Sequence, residues 1–117
     1  MDLSKAIEAH GEWKVKFRQA INGKENLDAA AIADDNCCHL GQWLHGEAKT
    51  KFGHLKSYAE CVATHAVFHQ CAGNVAQTIN AKKYAEAQSM IGTGSEYQKA
   101  SVAVSAAIFA LKQETGL

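Results

Sequence analysis

Apolar residues recur along most of this chain at intervals of three and four, the spacing of one face of an α-helix. Near the N-terminus this face includes one histidine and consists of Leu3, Ile7, His10, Trp13, Phe17 and Ile21. We therefore predict a helix over residues 3–21. Asn22 and Gly23 are expected to end it, because both residue types tolerate the left-handed conformation.

A shorter apolar cluster follows a polar stretch in the middle of the chain. That stretch ends at residues 34–36, whose aspartate and asparagine side chains are good helix N-caps. We predict a short helix over residues 38–44, anchored by Leu40 and Trp43. Gly41 would allow another helix to approach it closely.

The longest apolar stripe predicts a helix over residues 54–79. It is formed by Tyr58, Val62, His65, His69, Ala72, Ala76 and Ile79. Its alternating steps of four and three are typical of a helix packed along a bundle seam.

Two further stripes lie on either side of a Gly-Thr-Gly sequence at residues 92–94. The stripes are Tyr84, Ala87, Met90 and Ile91, and then Tyr97, Ser101, Val104, Ile108 and Leu111. Ser95 and Gln98 match a capping box. The two glycines either kink one long helix or divide it in two, and the pattern is compatible with both.

These elements predict an all-α fold. The chain contains no proline, and no segment alternates convincingly with the period of a β-strand. We expect one domain spanning residues 1–117, an antiparallel four-helix bundle with a short additional helix that carries Cys38. Its predicted core consists of Leu3, Ile7, Phe17, Val62, Ile79, Val104, Ile108 and Leu111.

Charge, apolar runs and cysteine positions indicate which partners and which cellular compartment to expect. Twelve lysine and arginine residues balance 12 aspartate and glutamate residues, so we expect no nucleic-acid or anionic-membrane partner. No apolar run approaches the roughly 20 residues of a membrane span, and the N-terminus lacks a signal-peptide core.

Cys61 and Cys71 would lie roughly 15 Å apart on one helix, too far for a disulfide. Free thiols or metal ligands in the cytoplasm are the expectation.

Three histidines on apolar stripes point to a metal site. His65 and His69 lie four residues apart, so their imidazoles project from the same side of one helix and can chelate one ion. His10 lies on the stripe of another helix, and ligands from separate helices converge in the core of a bundle. The alternative is that all three are core histidines with ordinary hydrogen-bond partners, but three of them favour the metal.

The fourth ligand is expected from the short helix, where Cys38 is the best candidate and Cys37 remains an alternative. Three nitrogens and one sulfur form a tetrahedral set that suits one zinc ion per chain. The other candidates are interpreted as surface histidines or packed thiols: His39, His45, His54, Cys61 and Cys71.

These segments together resemble the CZB family of chemoreceptor zinc-binding domains. Residues 38–44 (CHLGQWL) match its C-x-[LF]-G-x-W signature, His10 with Trp13 is similar to its first ligand segment, and residues 65–69 (HAVFH) are similar to its paired histidines. The resemblance extends over nearly the whole chain. It implies that His10, Cys38, His65 and His69 are the zinc ligands and that Cys37 is not.

The resemblance also implies a regulatory role. CZB domains accompany bacterial chemoreceptors and diguanylate cyclases and respond to zinc or to oxidants such as hypochlorite. We therefore expect a sensory domain that acts on an output module as a homodimer, either as one part of a larger receptor or cyclase, which we favour, or as a free-standing protein acting on a partner. The competing hypotheses are a purely structural zinc and a zinc hydrolase. The hydrolase is disfavoured because four protein ligands leave no position for water.

Overall fold

Eight helices and no β-strand make up the computed structural model, which describes all 117 residues. In chain order they are α1 (Leu3–Gly11), α2 (Trp13–Gly23), α3 (Ala29–Ala33), α4 (His39–His45), α5 (Glu47–Phe52), α6 (Lys56–Asn80), α7 (Tyr84–Met90) and α8 (Glu96–Thr115). The all-helical prediction is confirmed, and the antiparallel four-helix order stays a prediction. None of the eight helices combines the length and apolar character needed to cross a bilayer.

Two long helices, α6 and α8, pack along each other and form the centre of the fold. The first helix, α1, packs on α8, and the short α3 packs on α6. Six of the eight predicted core residues are at most 1% exposed: Leu3, Phe17, Ile79, Val104, Ile108 and Leu111. The other two, Ile7 and Val62, are only partly buried at the edge of the core.

The N-terminal helix is not continuous over residues 3–21 as predicted. It is interrupted at Glu12, just after Gly11, which is a poor helix former at an exposed position. The second part ends two residues later than predicted, and the left-handed residue is Lys24 with φ 52° rather than Gly23. The Glu25 N–H bonds back to the Ala20 carbonyl at 2.9 Å, which satisfies one of the last helical carbonyls.

Two short helices in the middle of the chain have no counterpart in the prediction, α3 and α5. Asp28 caps the first of them by accepting a hydrogen bond from the Ala31 N–H at 3.1 Å. A β-carbon added at Gly73 would lie 2.5 Å from the Ala33 β-carbon. Gly73 therefore allows α3 to lie directly on α6.

The start of α4 differs from the prediction in an informative way. Its N-cap is Cys38 itself, whose Sγ accepts a hydrogen bond from the Gly41 N–H at 3.3 Å, and not one of residues 34–36. The Asp34 carboxylate instead accepts from the Asn36 N–H at 2.9 Å, within the preceding turn. Gly41 does permit a close approach, but of the Asp35 backbone rather than of another helix.

The C-terminal segment is divided in two at residues 92–94. Gly94 has φ 81°, a left-handed conformation that ends any continuous helix. Ser95 caps α8 by accepting from the Gln98 N–H at 3.1 Å, as predicted. The reciprocal half of the capping box is not formed: the Ser95 N–H donates to the Gly92 carbonyl at 3.3 Å, and the Gln98 side-chain oxygen accepts from Lys14 Nζ at 3.4 Å.

Candidate metal centre

Four side chains from three parts of the chain converge at one point beside α6. His10, Cys38, His65 and His69 each offer one ligand atom, and these atoms all lie within 4.8 Å of one another. His65 Nε2 is at the middle of the group, 3.1 Å from His10 Nε2, 3.0 Å from His69 Nε2 and 3.2 Å from Cys38 Sγ. The structure thus brings together the four residues that the sequence singled out.

Three elements place the four candidate ligand atoms. His10 lies in the last turn of α1, and His65 and His69 lie one turn apart on α6. Cys38 lies at the N-cap of α4, where the extended backbone turns its side chain towards α6. Cys37, the preceding residue, is exposed and outside the group. The histidines therefore belong to the packed helices, and the sulfur belongs to the intervening segment.

The outer nitrogens of two histidines have hydrogen bonds that fix their protonation. His10 Nδ1 lies 2.7 Å from the Ala6 carbonyl, and His69 Nδ1 lies 2.8 Å from the Ile32 carbonyl. Because a carbonyl oxygen only accepts, both Nδ1 atoms carry the proton and donate it. The Nε2 lone pairs are then directed into the group, the tautomer that a metal ligand requires.

His65 is the exception, since its Nδ1 is buried without a partner. Burial lowers the pKa of His65 to about 3, and the neighbouring His69 and His10 add to this effect. Desolvation by burial also lowers the pKa of His10. Both imidazoles are consequently neutral near pH 7, with their lone pairs free to bind an ion.

The donor set fits a single zinc ion. Zinc–nitrogen bonds of about 2.0–2.1 Å at tetrahedral angles would place ligand nitrogens roughly 3.3 Å apart. The His65 Nε2 distances of 3.0 and 3.1 Å are close to this value, and Cys38 Sγ lies 3.9 Å from His10 Nε2. A zinc ion between these atoms would be bound by the inward lone pairs of His10 and His69, by His65 Nε2 and by the Cys38 sulfur.

Burial and hydrogen bonding act in opposite directions on the pKa of the Cys38 thiol. Its pKa is raised, chiefly by burial, and the backbone N–H groups of Gly41 and Leu40 offset part of this increase by bonding to the sulfur. For Cys37, a hydrogen bond with Asp34 is the main cause of a raised pKa. Only Cys38 combines N–H donors with neighbouring imidazoles, so it alone has the surroundings of a metal thiolate.

Aromatic side chains enclose the inner side of the group. The Phe68 ring meets the His10 and His69 rings edge-on, with ring centroids 5.3 and 5.7 Å apart. Tyr97 of α8 continues this layer, 5.6 Å from Phe68. These rings therefore exclude water from the side of the site that faces the core.

The outer side is reached through two surface pockets that meet at Cys38. One, of about 390 Å³, is bordered by Lys5, His10 and Cys38, and the other, of about 380 Å³, by Trp13, Cys38 and His69. Both pockets are therefore bordered by the partly buried residue that carries the sulfur. His39, His45 and His54 are exposed as predicted, and Cys61 is fully buried, so none of these joins the group.

Sequence reasoning did not identify the two carbonyl groups that orient His10 and His69. A main-chain carbonyl has no residue type that signals it. The only hint at Ile32 was Asp28 followed by a run of alanines, which is a capped short helix.

Taken together, the fold and the donor set define a helical zinc-binding domain. The family model described as the chemoreceptor zinc-binding domain, CZB, matches residues 10–76, more than half of the chain. The protein belongs to the CZB family. The matched segment starts at the first histidine and ends within α6, so α7 and α8 lie beyond it. No curated protein and no solved structure matches the chain.

Proposed function

We propose that the domain is a zinc-dependent sensor in which His10, Cys38, His65 and His69 are the ligands of one zinc ion. The observation that carries the proposal is the placement of the four donors. Three come from helices of the packed core and one from a short, partly exposed segment. A change at the fourth donor can then be transmitted as a movement of that segment.

The packing of α4 supports a switch rather than a purely structural ion. This helix packs chiefly on the equally short α5 and only lightly on α6. Most of the apolar core lies elsewhere, between α1, α6 and α8. In small finger peptides with almost no core, zinc contributes roughly 10–16 kcal/mol to folding. Here the core provides burial worth roughly 1.5–3 kcal/mol per large side chain without the metal.

Cys38 is the residue proposed to react. Zinc, when bound, keeps the sulfur deprotonated at neutral pH, which is the nucleophilic form. With hypochlorous acid the thiolate sulfur acquires the oxygen and is oxidised by two electrons to sulfenic acid, and the chlorine leaves as chloride. A sulfenic acid binds a metal less strongly than a thiolate. The segment around Cys38 is then free to shift away from His65.

The main rival class, a zinc hydrolase, receives no support from the site. Four protein donors would fill a tetrahedral centre and leave no position for a water nucleophile. No carboxylate belongs to the group of ligand atoms, so a general base is missing as well. We therefore infer a regulatory domain without enzymatic activity, acting in the cytoplasm on a chemoreceptor or diguanylate cyclase output module.

The test is an oxidant titration that follows zinc and helicity together. Mild hypochlorite should release zinc from the native protein while most of the helical circular dichroism remains. Cys38→Ser should bind zinc weakly and lose this response, and the matched control Cys37→Ser should keep both. Equal behaviour of the two variants would refute the assignment of the sulfur ligand. Helicity that collapses in step with zinc loss would make the ion structural and remove the switch.

A further inference from the structure

Cys37 is the only exposed cysteine of this chain, and the proposed zinc site leaves its thiol unused. It directly precedes Cys38, and both residues lie in the connection between α3 and α4, outside the two helices. The Cys37 N–H donates to the Asp34 carbonyl at 3.2 Å, a bond that closes a turn in this connection. The backbone that joins the two cysteines is therefore not held in a continuous helical hydrogen-bond ladder.

The two cysteines border the same surface pocket. This pocket, of about 380 Å³, is also bordered by Trp13, Asp28 and His69, so it lies directly beside the proposed ligands. Across a trans peptide bond, neighbouring α-carbons are only about 3.8 Å apart. A tether this short gives the second thiol an effective concentration of at least about millimolar order towards the first. Cys37 is thus positioned to react with Cys38 before a free thiol does.

The other two cysteines lie where they are not available to Cys38. Cys61 is fully buried and belongs to the apolar core cluster. Cys71 borders a different pocket, next to Tyr97 of α8, and neither of the pockets at Cys38 includes it. Cys37 is therefore the thiol of this chain that an oxidised Cys38 can use.

We propose that Cys37 is the resolving thiol of this domain and forms a disulfide with Cys38 once Cys38 has been oxidised. The proposal rests on the sensor function above, in which hypochlorous acid converts Cys38 to a sulfenic acid. The Cys37 sulfur attacks the sulfenic sulfur, so that the S–S bond forms and the S–O bond breaks. The Cys37 sulfur is oxidised as the sulfenic sulfur is reduced. The hydroxyl group leaves as water with the Cys37 proton, and no further oxidant is consumed.

A disulfide between adjacent residues is easily reversed. The α-carbons of a disulfide usually lie about 4.4–6.8 Å apart, so a bridge over about 3.8 Å is strained. Strained disulfides are more readily reduced and are typical of regulatory thiol pairs. The bond also protects Cys38 from further oxidation to sulfinic acid, which ordinary thiols do not reverse. Cys37 therefore makes the response reversible, because reduction of the disulfide returns the Cys38 thiol to the proposed site.

Peptide mass spectrometry of the oxidised full chain tests the proposal. The tryptic peptide of residues 25–49 contains both cysteines and no methionine, so its mass reports their oxidation directly. After hypochlorite treatment of the zinc-loaded wild type, this peptide should lack two hydrogens, resist alkylation and carry no link to a second chain. A dithiol should restore both thiols. In Cys37→Ser the peptide should instead gain oxygen at Cys38, and recovery of zinc binding by dithiol after excess oxidant should fall about fivefold or more.

The matched control is Cys71→Ser, which also removes one thiol and should behave as the wild type does. Zinc release recorded in the same titration separates this proposal from the sensor function. If zinc leaves the wild type while Cys37 stays open to alkylation, the disulfide is overturned and the sensor stands. A disulfide between two chains, or equal recovery in Cys37→Ser, would overturn it in the same way. Oxidant that neither releases zinc nor modifies Cys38 would overturn both proposals.

Discussion

The proposed ligands lie in two regions that hold them in different ways. One region is the set of packed helices α1, α6 and α8, in which α1 and α6 carry the three histidines. The other is the segment of residues 34–53, which carries Cys38. In the helices, His10 and His65 are 4% and 0% exposed and lie among fully buried apolar residues. In the segment, Cys38 is only partly buried and begins a helix of seven residues. A hydrogen bond of 2.7 Å from the Tyr58 hydroxyl to the Leu44 carbonyl ties that helix to α6.

We propose that this difference separates the binding of the ion from the response to it. The three nitrogens lie on helices of the packed core. The sulfur lies at the start of α4, which packs mainly on α5 and less on α6. On this proposal, a chemical change at one atom alters the position of a short helix while the fold persists.

The largest expected effect compares two fully buried leucines, one in each region. Leu111→Ala in α8 should lower the free energy of unfolding of the metal-free protein by about 2–5 kcal/mol, because it opens a cavity in the main core. Leu44→Ala in α4 should lower it by less than about 2 kcal/mol, because the segment can relax around the smaller side chain. Urea denaturation of chelated protein measures both. Equal losses would mean that the two regions form one cooperative unit.

The second prediction concerns the histidine at the centre of the group. If each of four ligands contributes a comparable share of roughly 10–16 kcal/mol, losing one costs about 3 kcal/mol. His65→Ala should then weaken zinc binding more than about a hundredfold. The exposed His54→Ala is the control and should bind as the wild type does. Competition with a chromogenic chelator gives both affinities, and a small effect at His65 would argue against a shared ion.

The third and smallest effect tests the contact that orients His69. A β-carbon at Gly73 would push α3 away from α6 and with it the Ile32 carbonyl that accepts from His69 Nδ1. Loss of such an outer hydrogen bond typically weakens metal binding about 10–100-fold, and Gly73→Ala should do the same. At Gly11 an added β-carbon has nothing within 4 Å, so Gly11→Ala should leave zinc binding unchanged. Unchanged binding in both variants would show that the carbonyl contact does not matter.

The same contrast between regions explains what the sequence could predict of the fold. The stripes of the long helices were readable because burial on one face repeats over many turns, as along α6 and α8. The helices α3 and α5 are too short for the spacing of apolar residues to repeat, so the sequence did not predict them. The interruption at Glu12 was also missed, because the apolar face continues across it.

That the four candidate ligands lie together was predictable for a different reason. Histidines on an apolar stripe are conspicuous, and the paired spacing of His65 and His69 has a direct geometric meaning. The choice of Cys38 over Cys37 depended on the family resemblance, since two neighbouring residues of one short helix have similar patterns. Placing Cys38 at the N-cap, where its sulfur accepts from the Gly41 N–H, required the backbone conformation.

We propose that the metal orders the segment around Cys38 more than it stabilises the packed helices. Amide hydrogen exchange of the protein with zinc and after chelation measures this directly. Removing zinc should raise exchange chiefly over residues 36–44, while the middle of α6 and of α8 should stay protected. A uniform loss of protection over all helices would contradict it, and so would unchanged exchange around Cys38.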